Sequence, residues 1–331
     1  MCSYFCFNSG TRDETEFASM KKIMSFSIAI IAFLLGLIGL IAYGRESVVE
    51  PTVIPFAMDI IMDLNELEET SYTMPPTCDA LDFTPIYSAI ERYGDGVAIY
   101  FENLETGCIF RHNAEQNFFA ASTAKAPYAL WLYTLAEQGV IDLDGTVSFR
   151  YDHRFPGSGI IQHNYSVGQE FTLRRLIALN LYESDNVATQ ILRSEFGYTE
   201  FANFISNLGG TPYFVNDLWN ARITADEAGF FMREIFTYIE SDQRYSDEFR
   251  RNLLNNQHPF IVADYPVASK TGWHQDFGGA WHDMAIVYAP SPYILVILSS
   301  DRIGTAEDHR VYQYISHAFQ TFNQLNFTHP R

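Results

Sequence analysis

The sequence predicts an α+β fold: a five-stranded antiparallel sheet flanked by helices, an all-helical lobe beside it, and one N-terminal transmembrane helix ahead of both. Three observations predict it. Residues 23–44 are mostly apolar and carry no charge. Two β-rich runs near residue 100, and three more between residues 267 and 299, are bounded by turn residues. Between these groups the apolar residues recur at helical spacing, and single helical patterns stand at both ends. Strands joined by short turns pair antiparallel, and the two terminal helices can cover one face of the resulting sheet.

The apolar segment comes first in the chain. At 1.5 Å per residue it can cross a hydrocarbon core of about 30 Å. Lys21 and Lys22 precede it, so residues 1–22 are expected in the cytoplasm and the remainder outside. A cleavable signal peptide is the rival reading, but its apolar stretch is usually shorter, and Ala42-Tyr43-Gly44 is a poor cleavage site. The chain therefore reads as membrane-anchored, with an extracytoplasmic folded domain. Residues 45–79 read as an acidic juxtamembrane stalk stiffened by Pro75-Pro76. The domain is expected over residues 80–326, with a sheet lobe at 80–123 and 260–326 and a helical lobe at 124–259. Cys2 and Cys6 fall on the reducing side of the anchor. Cys78 and Cys108 fall on the oxidising side, where a disulfide and two buried thiols are both open.

Within the domain, residues 82–93 show Ile86, Ile90 and Tyr93 on one helical face. Strands are expected at 97–102 and 108–112 around a hairpin loop. Helices follow at 124–138, ended by Gly139, and at 172–182 and 187–196. Thr224 and Glu227 form a capping box that opens a helix reaching about residue 239. Strands at 267–272, 280–288 and 293–299 and a last helix over about 306–325 complete the order.

Composition excludes several functions. The 331-residue chain is 47% hydrophobic and 15% aromatic, enough to fill a core, so it is not a disordered protein. Its net charge of −19 argues against nucleic acid and against anionic lipid headgroups, both of which need Lys and Arg partners. No Cys/His cluster has metal-ligand spacing and no glycine-rich phosphate loop occurs, so neither a metal nor another cofactor is expected.

Three short motifs stand in order: Ser122-Thr123-Ala124-Lys125, Ser184-Asp185-Asn186 and Lys270-Thr271-Gly272. A Ser-x-x-Lys alone is expected about once by chance in a chain this long, but the two rarer triplets behind it, in this order, are not. Lysine usage sharpens the point. The chain has four lysines: Lys21 and Lys22 before the anchor, Lys125 and Lys270 inside motifs. From Arg45 onward it uses sixteen arginines. Arginine supplies surface charge but cannot lose its proton to act as a base, so the two lysines point to chemical need. Ser122 and Lys125 lie one helical turn apart and share a face.

These motifs are similar to those of class A β-lactamases and the related penicillin-binding DD-peptidases, over roughly residues 80–325. The resemblance implies a β-lactam or a D-Ala-D-Ala-type peptide as substrate. It implies Ser122 as nucleophile, Lys125 as the base that takes its proton, and Ser184 as the relay to the leaving nitrogen. It implies that Asn186 holds the substrate amide and that Lys270 and Thr271 of the Lys-Thr-Gly272 motif hold its carboxylate. The backbone N–H groups of Ser122 and Trp273 would form the oxyanion hole. The family's deacylating glutamate belongs to a Glu-x-x-Leu-Asn motif, where this chain reads Asn216-Asp217-Leu218-Trp219-Asn220. Alignment on Asn220 puts Asn216 at the glutamate position, and Asp217 serves only with a one-residue shift. Three functions follow in order: a β-lactamase, a cell-wall DD-peptidase with slow deacylation, and a non-catalytic cell-wall peptide-binding protein.

Overall fold

The computed structural model describes residues 78–210, 221–275, 279–300 and 310–327. The expected cytoplasmic segment, the anchor and nearly all of the stalk lie outside the described residues. Among those described, no helix is long and apolar enough to cross a membrane.

Five strands form one antiparallel sheet: β1 (Val97–Asn103), β2 (Ile109–His112), β7 (Val267–His274), β8 (Ala280–Val287) and β9 (Tyr293–Ser299), ordered β2-β1-β9-β8-β7. Every residue of β1, β8 and β9 is buried, because both sheet faces are covered. Successive side chains therefore enter two different cores. Val97, Ile99 and Phe101 meet Ile86 and Ile90 of α1 (Thr84–Ile90) and Ile315, Phe319 and Phe322 of the C-terminal helix Arg310–Phe327. The first and last helices thus share one face, as the sequence order leads one to expect. Ala98 and Tyr100 enter the second core with residues of the helical lobe.

That lobe is built from α2 (Lys125–Glu137), the one-turn α3 (Ile161–Asn164), α4 (Leu173–Tyr182), α5 (Asn186–Phe196), α6 (Thr199–Asn207), α7 (Ala225–Ile239) and α8 (Ser246–Leu254); the C-terminal helix is α9. Thr172 caps α4 by accepting from Arg175 N at 3.1 Å. The capping box of α7 is present in both directions: Glu227 N donates to Thr224 Oγ1 and Thr224 N to Glu227 Oε2, each at 3.1 Å.

Several elements depart from expectation. The first helix is shorter than residues 82–93, because the chain tightens after Ile90 into a 3-10 turn broken at Gly94, whose φ is 50°. The helices α3, α6 and α8 were not expected. In α8 only one narrow face is buried (Phe249, Asn252, Leu253 and Ser246), too little to stand out from its charged run. Two small ribbons also appear, β3 (Phe118–Phe119) with β6 (Arg222–Ile223), and β4 (Thr146–Ser148) with β5 (Glu170–Thr172). Their strands are too short to show a period of two. Cys78 and Cys108 are joined in a disulfide, which settles the pairing the sequence leaves open.

Helix α7 lies directly on the sheet at Gly229. A methyl group there would sit 2.4 Å from Tyr100 Cδ1. The Tyr100 ring cannot yield easily, since its hydroxyl donates to buried Glu102 Oε2 at 2.8 Å and accepts from Arg233 Nη2 at 3.1 Å. Gly229→Ala gains about 1 kcal/mol of helix propensity but overpacks this contact, which typically costs ~1–3 kcal/mol. We expect Gly229→Ala to lower the urea midpoint of unfolding at unchanged m-value; a raised midpoint would show that the helix shifts freely on the sheet.

Candidate active site

The first motif sits where ribbon, helix and sheet edge meet. Ala120 N donates to Ala221 O at 2.8 Å, beside the β3–β6 ribbon. The chain then turns through Ala121, whose φ of 47° is unusual for a residue with a side chain. A 3-10 turn, Ala121–Ala124, carries Ser122 into α2, and Lys125 N bonds back to Ser122 O. This turn rests on β7 at Gly272. A methyl group at Gly272 would lie 2.7 Å from Thr123 N and 2.9 Å from Ser122 N. The third motif thus needs a glycine so that its strand can approach the Ser122 backbone.

The second motif occupies the turn between α4 and α5. Ser184 has a φ of 51°, a second left-handed non-glycine residue. Asp185 holds the turn. It is fully buried, caps α5 by accepting from Ala188 N at 2.9 Å, and accepts from Ile160 N and Ile161 N at 2.7 and 2.8 Å. Asn186 N donates to Ser158 O at 2.9 Å and its Nδ2 to Pro156 O at 2.8 Å. The loop 156–161 is therefore a wall of the site that motif reading missed. Its one visible signal is Gly157-Ser158-Gly159, where side chains would strike Asn186 and Asp185.

The two lysines converge on Ser184. Lys125 Nζ donates to Ser184 O at 2.6 Å and Asn186 Oδ1 at 2.7 Å, with Ser184 Oγ at 3.3 Å. Lys270 Nζ, from β7, donates to Ser184 Oγ at 3.0 Å and Thr271 O at 2.8 Å. Both amines are buried. Burial, and next the positive charge of Lys270, hold Lys125 well below the ordinary lysine range, although Asp185 opposes this. Burial also lowers Lys270 to about 7 against the pull of Asp283. A neutral amine has two hydrogens. On Lys125 the oxygens of Ser184 and Asn186 can take both, and the lone pair becomes a proton acceptor.

Residues around the third motif sit less centrally. Thr271 Oγ1 donates to His258 O at 2.8 Å and accepts from Asn256 Nδ2 at 2.9 Å. Its one hydrogen reaches a ligand only by leaving His258. Trp273 is 45% exposed, its indole stacked on Trp281 with ring centres 5.7 Å apart. His282 is a satisfied core residue: Nε2 donates to Phe119 O at 2.8 Å, Nδ1 accepts from Ser299 N at 3.1 Å, and burial lowers its pKa to about 4. Asn216, Asp217 and Asn220 lie outside the described residues. Among the described residues no cluster of His, Cys, Asp and Glu has metal-binding geometry.

The buried amines tie stability to pH. The Lys270 amine titrates near 7 when folded and near 10.5 when unfolded. Between those values the unfolded chain binds more protons, so stability rises with pH; below about 7 both states are charged and the full burial cost remains. We expect Lys270→Met to flatten the stability–pH curve between pH 7 and 9, by up to ~1.4 kcal/mol per pH unit. Parallel curves for variant and parent would mean that Lys270 stays charged in the fold.

A β-lactamase from Sphaerobacter thermophilus superposes with a TM-score of 0.64 at 20% identity, covering 76% of this chain and 100% of that one. A β-lactamase from Chitinophaga pinensis gives 0.62 at 21% identity, covering 71% and 97%. A PBP-A variant in its acyl-enzyme complex with penicillin G gives 0.58 at 20% identity, covering 71% and 95%. These likenesses speak to the fold. A search of the curated proteins found no match. Residues 84–322 match the Beta-lactamase enzyme family, most of the chain, and so the protein belongs to that family and is a β-lactamase-like serine hydrolase.

Proposed function

We propose that β-lactams acylate Ser122 and that this opens their ring. The observation that carries the reading is the Lys125 amine: buried, shifted toward its neutral form, and hydrogen-bonded to Ser184 and Asn186. Lys125 takes the Ser122 proton as Oγ attacks the lactam carbonyl carbon. The N–H groups of Ser122 and Trp273 receive the developing oxyanion. As the C–N bond breaks, the proton passes from Lys125 through the Ser184 hydroxyl to the leaving nitrogen. Lys270 binds the substrate carboxylate, and that charge restores its protonated form.

The same steps serve a cell-wall DD-peptidase acting on a D-Ala-D-Ala-type peptide, and one observation favours slow deacylation. Asp185, the carboxylate of the second motif, is buried and its oxygens are held by backbone N–H groups. It is not placed to activate water. On alignment Asn216 stands where the family has its deacylating glutamate; Asp217 and Asn220 are the remaining polar residues of that motif. A non-catalytic peptide-binding protein is disfavoured by the lysine pair, since binding alone has no need of a proton acceptor. The membrane anchor at residues 23–44 and an extracytoplasmic domain remain part of this proposal. The Cys78–Cys108 disulfide supports the extracytoplasmic placement, because such bonds persist in oxidising compartments.

Labelling by a fluorescent penicillin tests the reading. We expect covalent labelling, lost in Ser122→Ala and nearly lost in Lys125→Arg, which keeps the charge but not the base. Lys270→Arg should be milder; equal damage from both arginine variants would overturn the assignment of roles. Intact-mass spectrometry after mixing with benzylpenicillin should show one adduct persisting over minutes, since an absent general base is typically worth ~10²–10⁴-fold. Rapid turnover without an adduct would reveal a hydrolytic base, and Asp217→Asn would then be the variant to trap it.

A further inference from the structure

We propose that Asn180 is a positioning residue for Lys125, its buried carboxamide acting with the Thr189 hydroxyl to fix where the Lys125 amine sits. Asn180 lies on α4 and Thr189 on α5, and both are fully buried. Their helix neighbours Leu176, Ile177, Leu179, Val187, Ala188, Ile191 and Leu192 are buried apolar residues, so an apolar pair would suit this junction. A polar pair held there must be satisfied, and it fixes one arrangement when it is.

The hydrogen bonds show what is fixed. Asn180 Nδ2 donates to the backbone carbonyl of Lys125 at 3.3 Å. Asn180 Oδ1 accepts from Thr189 Oγ1 at 2.8 Å, and Thr189 Oγ1 is also 2.8 Å from the carbonyl of Asp185. The amide orientation follows, because reversing it would set Oδ1 against the Lys125 carbonyl oxygen. A ring of contacts closes: from the Lys125 carbonyl through Asn180 to Thr189, whose single hydroxyl hydrogen is shared between Asn180 Oδ1 and the Asp185 carbonyl, then along the backbone to Ser184 O, and from there at 2.6 Å to Lys125 Nζ. The backbone of Lys125 and the tip of its side chain are thus both tied to one turn. A flexible four-carbon stem spans two fixed ends and has little choice of path. The charged groups that face the amine, Lys270 from β7 and Asp185 from the turn, then act on it from set distances.

The inference rests on Lys125 as the base, but its test does not depend on acylation. The chain has four lysines, so ¹³Cε-lysine labelling gives four NMR signals, assignable with single Lys→Arg variants. Asn180→Leu and the nearly isosteric Thr189→Val should each move the Lys125 titration midpoint by about one pH unit, with Lys270 moving less. Acylation by benzylpenicillin should slow about tenfold, the scale of a small misplacement of a reacting group. Should Asn180→Leu not fold, Thr189→Val carries the test alone. A folded variant that loses thermal stability while its Lys125 titration and acylation stay at parental values would overturn the proposal, because Asn180 would then serve packing only. If the parent itself is not acylated, the proposed function fails, and the Lys125 titration alone decides this inference.

Discussion

Two amines must stay buried around one hydroxyl. Ser184 Oγ lies 3.3 Å from Lys125 Nζ and 3.0 Å from Lys270 Nζ, and both amines are buried. Such a site is stable only if the amines can shed their protons or share a bound anion. It also needs three parts of the chain to meet within a few ångströms: the first turn of α2, the turn before α5, and the edge strand β7. Much of the remaining architecture can be read as the means of holding those three together.

Close backbone approach is one of those means. Gly272 lets β7 lie against the Ser122 turn, and Gly229 lets α7 lie against Tyr100 of the sheet. Polar side chains that bridge separate segments are the other. Asp185 gathers N–H groups from two segments, and Asn256 bridges Ser269 and Thr271 on the strand that carries Lys270. Left-handed backbone at Ala121 and Ser184 is the strain that accompanies this crowding, next to Ser122 and at Ser184 itself.

The sequence reveals the sheet, the capped helices and the two lysines because each leaves a local mark. Strands buried on both faces read as apolar runs, capping residues precede their helices, and Lys125 and Lys270 stand out in a chain that otherwise uses arginine for its positive charge. Helix α8 and the two small ribbons are less visible because tertiary contact, more than periodicity, makes them. The same limit applies to the site. Asn180, Thr189 and the 156–161 loop belong to no short motif, and their importance appears only when distant segments are brought together. The engagement of Thr271 with His258 and Asn256 is likewise a long-range effect that a triplet cannot show.

The Cys78–Cys108 bond has a mechanical consequence. It joins Cys78, just ahead of α1, to the return into β2 and encloses α1 and β1 in a covalent loop. Tension drawn through the preceding chain would cross the sulfur bridge and load the polypeptide from residue 108 onward. Residues 79–107 would carry none of it. A tether in front of this domain could therefore be tugged without unwinding α1 or peeling β1 from β9, until the sheet gave way elsewhere.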